Sequence, residues 1–408
     1  MSKLKVTTIS DPDNDNTALT IDSSGNVTAP QNTTLNGDLT VSGGFIPSTQ
    51  LSHRNLIING AMQVAQRGTS FTGLTSGMTY RTVDRFGGNS YNVGSHTYNE
   101  EQSTDAPSEF SFSRKFTWTT AQTTSTNTRN QMRHHIEYEN MRHLKWGTSD
   151  AKPATLSFWV KSSVTGLHPF SLVSGGETDS FVTNYTVNVA NTWEYKTISI
   201  PAPTSGTFNA STIGIRMAWD FGSGDNFNTP SADSWVSGWY FRTSSSIRVA
   251  ETTNATWQIT GVQLEVGSVA TPFEHRSYGE QLQLCFRYFY STMFLRSANS
   301  LTAPTNNAPQ IFGARHRFAD VTGYRSQDVQ HPVPMRASPS ITFYNPGNSG
   351  TSGQFELYSH DGNSQNFSGF ITANRETSFI FAGYTGVSVG TGGYSTVCFA
   401  HWKADAEL

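Results

Sequence analysis

The chain has 408 residues, a formal net charge of −3 and 14% charged residues, against roughly a quarter in an ordinary globular protein. Aromatics reach 12% and nine residues are Trp, the opposite of the balance that keeps a chain disordered. The near-neutral charge excludes the electrostatic footprint of a nucleic-acid binder, and no apolar run reaches the roughly 18 residues of a membrane span.

Residues 1–50 read as a stalk. Leu19-Thr20-Ile21-Asp22 leads through Ser23-Ser24-Gly25-Asn26 to Val27-Thr28, and the stretch from Thr34 to Gly44 repeats the pattern. Each unit is a pair of short alternating runs around a turn. The stretch has too few large apolar residues to bury a core of its own. It is expected to form strands that intertwine with copies from other subunits; a flexible linker is the alternative. Met1 to Ser10 lacks the apolar core of a signal peptide, which predicts synthesis in a cytoplasm.

Residues 51–276 read as one antiparallel β-sandwich, jelly-roll-like in size and rhythm. Leu156, Phe158 and Val160 alternate with Ser157, Trp159 and Lys161, a period-2 strand with one face in a core. Ile213, Ile215, Met217, Trp219 and Phe221 form a second such face. Trp193, Tyr195 and Thr197 form a third, and Trp257, Ile259 and Gly261 a fourth.

Within residues 277–296 a short linking helix is predicted. Ser277-Tyr278-Gly279-Glu280 fits a capping box, and Tyr278, Leu282, Cys285, Phe286 and Phe289 fall on one helical stripe. Residues 297–408 return to strands as a small C-terminal β domain. There Phe355, Leu357 and Tyr358 precede the turn His360-Asp361-Gly362-Asn363. A buried strand spans Ser378 to Ala382, and a last one Tyr394 to Trp402. The fold class is therefore all-β. Cys285 and Cys398 are too few and too far apart for a disulfide framework or a zinc site.

Three stretches carry a family resemblance. The first runs from Asn55-Leu56-Ile57-Ile58-Asn59-Gly60 through Gln66-Arg67-Gly68, followed by Tyr80, Asp84, Arg85 and Phe86. The second runs from Gly261-Val262-Gln263-Leu264-Glu265 through Thr271-Pro272-Phe273-Glu274 to Arg276, Arg287 and Tyr288. The third begins at His331-Pro332-Val333-Pro334-Met335-Arg336 and closes on Asp405-Ala406-Glu407-Leu408. Together, over residues 50–408, they resemble bacteriophage tail-fibre proteins, including those of phages infecting cyanobacteria. The resemblance implies a structural virion component in the tail and a homotrimeric fibre. Its N-terminal region would meet other tail proteins. Its C-terminal domain would be the receptor-binding tip on host surface polysaccharide or lipopolysaccharide. The middle domain would look like the jelly rolls of carbohydrate-binding modules. Neither nucleic acid, membrane insertion nor a cofactor is implied, and no binding residue is carried over. The motif residues read as structural: Asn59-Gly60 as a tight turn, Leu264 and Phe273 in the core, Asp84-Arg85 as an ion pair.

A sugar site needs flat apolar surface for the ring and polar groups for its hydroxyls, which aromatics beside amides and carboxylates supply. Trp159 meets this on the polar side of its strand. Trp235, Trp239 and Tyr240 meet it in a Gly/Ser-rich loop region with Asp233. Tyr344, Tyr358, His360, Asp361, Tyr384 and Tyr394 meet it at C-terminal turns. Each could instead cover a core or a subunit interface. His134-His135 would point to opposite strand faces, which disfavours a shared metal. Asp220 and Asp225 flank a Gly-rich loop that could hold calcium, though without EF-hand spacing. Gly386-Val387-Ser388-Val389-Gly390 matches G-x-S-x-G, but the following helix and the downstream acid-then-His order are missing. The chain is therefore expected not to be an enzyme. A glycan depolymerase would need two carboxylates at a fixed separation, and among Asp220, Asp225, Asp233, Glu265 and Glu274 no spacing singles out a pair. A purely structural tail or decoration protein is the remaining alternative.

Overall fold

The computed structural model describes residues 8–10, 17–24, 27–28, 52–209, 212–292, 311–317, 324–344, 353–359, 364–384, 395–399 and 401–407. The chain divides into two units, 1–48 and 49–408. In the first, β1 (Thr8–Ser10), β2 (Thr17–Ile21) and β3 (Val27–Thr28) form an antiparallel sheet, with Thr20 opposite Thr28 and Ile21 opposite Val27. This is the strand–turn–strand unit expected at 19–28. Its repeat at 34–44 lies outside the described residues.

The second unit begins with a two-sheet sandwich. Its strands are β4 (Ser70–Leu74), β5 (Gly77–Thr79), β6 (Phe86–Tyr91), β7 (Thr97–Ser103), β8 (Ser113–Thr120), β9 (Arg129–Glu137), β10 (Ala154–Ser162), β11 (Gly166–Ser174), β12 (Asp179–Val187), β13 (Glu194–Ile200), β14 (Ile213–Asp220), β15 (Trp235–Ser237) and β16 (Thr256–Val266). One sheet has the order β13-β10-β16-β8-β7-β4 and the other β15-β12-β11-β14-β9-β6-β5. Every pairing is antiparallel. A one-turn helix, α1 (Tyr138–Met141), follows β9.

Side-chain parity decides what enters the core. Leu156, Phe158 and Val160 of β10 are fully buried, as are Ile215, Met217 and Trp219 of β14. Phe158 meets Trp219 edge-on across the two sheets, with ring centroids 5.9 Å apart. The third predicted face is reversed. Ile198 and Ile200 of β13 enter the core opposite Leu156 and Ala154, so Tyr195 and Thr197 look out. Two aliphatic residues outrank an amphipathic Tyr, and a strand can turn only one set inward.

After the sandwich, the Ser277 hydroxyl accepts from the Glu280 N–H at 3.2 Å and starts α2 (Tyr278–Phe286). The Glu280 carboxylate faces His53 and Arg276. Cys285 and Phe286 are buried, whereas Tyr278 is exposed. Phe289, predicted on the helical stripe, lies in a strand instead, because the chain leaves the helix at Phe286. The C-terminal strands are β17 (Phe289–Ser291), β18 (Ile311–Arg317), β19 (Tyr324–Gln330), β20 (Ser340–Tyr344), β21 (Gln354–Ser359), β22 (Ser364–Asn374), β23 (Ser378–Tyr384), β24 (Ser395–Phe399) and β25 (His401–Asp405). They form a sheet β17-β25-β20 and a sheet β18-β24-β21-β22-β23-β19. Phe286, Tyr290, Met335, Phe343, Phe379 and Trp402 make their core.

The three motif stretches lock onto one another. A Cβ on Gly60 would stand 2.1 Å from the Val262 carbonyl oxygen, so only glycine fits there. Gly60 O accepts from Val262 N–H at 2.9 Å, and Asn55 Oδ1 accepts from Leu264 N–H at 3.1 Å. Glu274 accepts from the Asn55 N–H at 3.0 Å. Asn59 O accepts from Met62 N–H in the expected tight turn. Leu264 is fully buried, but Phe273 is only half-buried and packs edge-on against Phe110. Asp84 and Arg85 do not pair with each other, since adjacent side chains diverge. Asp84 lies 3.5 Å from Arg67 and accepts from Gln66. Arg85 reaches Glu407 and the His135 carbonyl. Arg67 also meets Asp405 and Glu407, and the guanidiniums of Arg67 and Arg85 each lie 3.5 Å from a ring centre, Phe289 and Tyr288 respectively. The closing Asp-Ala-Glu thus docks onto the first motif.

Candidate functional site

The outer face of the six-stranded sheet gathers the best sugar-type surface. Register sets Trp159 opposite Tyr195, with ring centroids 5.4 Å apart and planes at 52°. Tyr195 is 45% exposed and Trp159 half-buried. Opposite Trp159 on its other side, β16 carries a register irregularity where Gly261 has φ +61°. A side chain there would strike Phe110, so the irregularity needs glycine and lets aromatic surface lie across the strand.

Asp105 is the polar hub of this face. It accepts from Lys161 Nζ at 2.8 Å, Trp193 Nε1 at 3.0 Å and Gln258 Nε2 at 3.3 Å. Partial burial pushes its carboxyl up, but the Lys161, Trp193 and Gln258 bonds outweigh that and hold it below the usual carboxylate range. Aromatic surface beside a carboxylate, an ammonium and an amide can pack a pyranose ring and bond its hydroxyls.

Glu194 stands between Trp193 and Tyr195 in the chain and ties the start of β13 to the preceding loop. It accepts from the N–H groups of Asn188 and Val189, both at 2.8 Å, and from Lys196 Nζ at 2.6 Å. Burial opposes the charge, yet these bonds hold its carboxyl down at about 2. A depressed folded pKa contributes stability above the unfolded value near 4.5, and that contribution is lost as pH falls toward 2. Glu194→Gln should therefore flatten the acid limb of the stability profile between those values. Parallel profiles for variant and wild type, measured by denaturant titration, would remove this role.

The remaining predicted residues are dispersed. Trp235 lies in β15 and closes the end of the core against Trp146, Phe181 and Phe208, and its Nε1 donates to Pro201 O. Trp239 lies over the seven-stranded sheet, packed on Phe227 and Phe241, on the opposite side of the sandwich from Trp159. Tyr344 ends β20, half-buried, with Lys403 Nζ 5.6 Å from its ring centre. Tyr358 is opposite Ser364, whereas Gln354 is opposite Ser368 and Gly369 opposite Gly383. Tyr358 and Tyr384 therefore stand toward different ends of β21. His360, Asp361, Tyr394 and the Gly386–Gly390 match lie outside the described residues.

The carboxylates considered for catalysis or calcium are engaged elsewhere. Asp220 is buried and caps the N–H groups of Gly222 and Ser223, while Asp225 pairs with Arg248. Asp233 accepts from Thr183, Glu265 from Thr271, and Glu274 pairs with Arg276. His134 packs its ring on Phe86 inside the core. Among the described residues no group of three or more metal-ligating side chains occurs.

In sequence Trp193 and Tyr195 read as a core face rather than as site residues, and Asp105 is not singled out. The available signal was the parity of Ile198 and Ile200, which turns Tyr195 outward.

No family model matches the chain, and no curated protein matches it. Solved structures similar to it include the enzymatically active domain of bacteriophage CBA120 tailspike protein 4, at 12% identity and TM-score 0.27, covering 52% of this chain and 21% of that one. The family 11 carbohydrate-binding module of a Clostridium thermocellum cellulosomal cellulase aligns at 12% identity and TM-score 0.25, over 50% of this chain and all of that one. The tandem CBM22 domains of Paenibacillus barcinonensis Xyn10C align at 11% identity and TM-score 0.25, over 85% of this chain and all of that one. This chain thus spans about a fifth of the tailspike chain's length. At such scores none of these likenesses carries an argument, and the sandwich rests on its own strand order and register.

Proposed function

We propose that the sandwich binds saccharide through the Trp159–Tyr195 pair and that the chain acts as a non-catalytic adhesive subunit of a trimeric phage tail fibre. The observation that carries the binding is the aromatic pair on an otherwise polar sheet face, beside the Asp105 hub. The tail-fibre setting rests on the motif resemblance. A single sugar contact is weak, on the order of millimolar. Three sites per fibre and several fibres per particle raise avidity through effective concentration. The engagement of Asp220, Asp225, Asp233, Glu265 and Glu274 in other bonds supports a binder over a hydrolase.

The test is binding of the intact chain to an array of bacterial surface polysaccharides, in a preparation whose mass is read by light scattering. Three chain masses and saccharide binding are expected. Trp159→Ala with Tyr195→Ala should weaken binding about tenfold while leaving the circular dichroism spectrum unchanged, since an aromatic stacking contact is worth about 0.5–1.5 kcal/mol per ring. Unaltered binding by the folded double variant sinks the site, a monomer sinks the trimer, and new reducing ends would make the chain a depolymerase.

A further inference from the structure

The outer face of the seven-stranded sheet carries a different arrangement. Arg129, Gln131 and Arg133 alternate along β9 and share one face. Arg133 stands opposite Gly87 of β6 and Ala218 of β14, with the Tyr80 ring against Gly87 and Phe241 clustered with Ala218. Arg216 lies on the same face of β14, opposite His135. Arg133 is only 6% exposed. Its Nε donates to Gln131 Oε1 at 2.8 Å, but its Nη2 has no hydrogen-bond partner among the described residues. The same holds for Ser171 Oγ, on the strand beside Ala218, and for Trp239 Nε1. Aromatic rings frame the cluster. Arg129 lies over Tyr91 at 4.7 Å and over Trp239 at 4.8 Å, and Arg133 lies 5.5 Å from the Phe241 ring centre.

No carboxylate pairs with Arg133 among the described residues. Arg216 is partly answered: Glu177, itself 46% exposed on its side chain, pairs with it at 3.4 Å, and its Nη1 donates to the Ser174 and Gly175 carbonyls. Asp220 accepts from the Gly222 and Ser223 N–H groups through one oxygen and from Gln131 Nε2 through the other, and it faces Arg242; it reaches Arg133 only through Gln131. Burial, then the fields of Arg129 and Arg216, push the Arg133 pKa down to about 10. A guanidinium taken out of water without an ionic partner, beside two like charges, destabilises a fold. Local rule-breaking of this kind is expected where a site is built for a ligand.

We propose that this face binds an anionic saccharide group, a uronate carboxylate or a sulfate ester, using Arg129 and Arg216 at the rim, Arg133 beneath and Trp239 and Tyr91 against the sugar ring. Guanidiniums meet planar carboxylates and sulfates through paired donors. Trp239, half-buried over Arg129, packs on Phe241, the ring beside Arg133. The saccharide class rests on the reading above; the negative charge rests on the arginines alone. The net charge of −3 disfavours nucleic acid as the anion.

Three titrations of the intact chain test this: polygalacturonate, dextran sulfate and neutral dextran, followed by calorimetry. At least one anionic polymer should bind, more weakly as salt is raised, and the two arms separate carboxylate from sulfate. Arg129→Gln with Arg216→Gln, and separately Arg133→Met, should each weaken that binding at least tenfold, while Trp159→Ala with Tyr195→Ala should leave it unchanged. Arg133→Met should also melt higher than wild type, which distinguishes lost contact from lost fold. The proposal is overturned if neither anionic polymer binds wild type, if the arginine variants bind as wild type does, if Arg133→Met melts lower, or if a single-stranded oligonucleotide binds equally well. Loss of neutral-saccharide binding bears only on the Trp159 site.

Discussion

Glu407→Ala should lower the unfolding free energy by about 3–5 kcal/mol, the usual cost of breaking a buried ion pair from one side. Arg85 and Glu407 have side-chain exposures of 1% and 5%, and Arg67, the other guanidinium at that carboxylate, has 4%. Removing the carboxylate strands two cations against Tyr288 and Phe289 with only Asp84 and the more exposed Asp405 to answer them. Solvent cannot screen charges at that depth as it does at a surface. Glu407→Gln keeps the shape and one hydrogen bond but loses the charge, so it should fall between. Urea unfolding followed by tryptophan fluorescence reads both. A shift within about 0.5 kcal/mol for Glu407→Ala, the range of an ordinary surface substitution, would show that the tail is not docked as described.

Trp219→Ala should cost a similar amount, about 3–5 kcal/mol. Its ring is fully buried, with centroids 5.1 Å from Phe170, 5.9 Å from Phe158 and 6.5 Å from Phe86. Phe158 belongs to one sheet and Phe86 and Phe170 to the other, so the cavity would open at the joint between them. Trp219→Phe should cost far less. The Trp219 Nε1 is buried without a hydrogen-bond partner among the described residues, and a phenyl ring keeps part of the packing while removing a polar group that is already unsatisfied. Thermal unfolding of the two variants should therefore separate widely. Equal losses would mean that the indole N–H is bonded after all.

The contrast between these two residues shows where sequence reasoning succeeds. Trp219 was legible because Ile215, Met217 and Trp219 keep a strict period of two, and a half-buried strand has one way to satisfy it. The capping Ser277 was legible for the same local reason. Tyr195 was not, because Tyr suits either side of a sheet and only Ile198 and Ile200, pairing with Leu156 and Ala154, decide. The partner of Trp159 needed cross-strand register, which no single strand contains. Asp105 comes from a loop 56 residues before Lys161. Arg133 hid beside His134-His135, whose metal-like appearance dissolves once adjacent residues face opposite ways. Asp84 and Arg85 misled through adjacency: neighbours in sequence, they point apart and take partners that sequence distance conceals.

The docking of Asp405 and Glu407 also sets an order in time. Arg67 and Asp405 are 338 residues apart, and at roughly 5–20 residues per second of synthesis the acid leaves the ribosome's active centre roughly 17–70 s after the base. Through that interval the sandwich strands are present but Arg85 lacks its anion and Arg67 has only Asp84, so the assembled domain is a late product of translation. Contacts of such long separation also slow folding itself. A chain interrupted before residue 405 would carry most of the strands yet leave Arg85 without its carboxylate and Arg67 with Asp84 alone, which marks it for proteolysis rather than assembly.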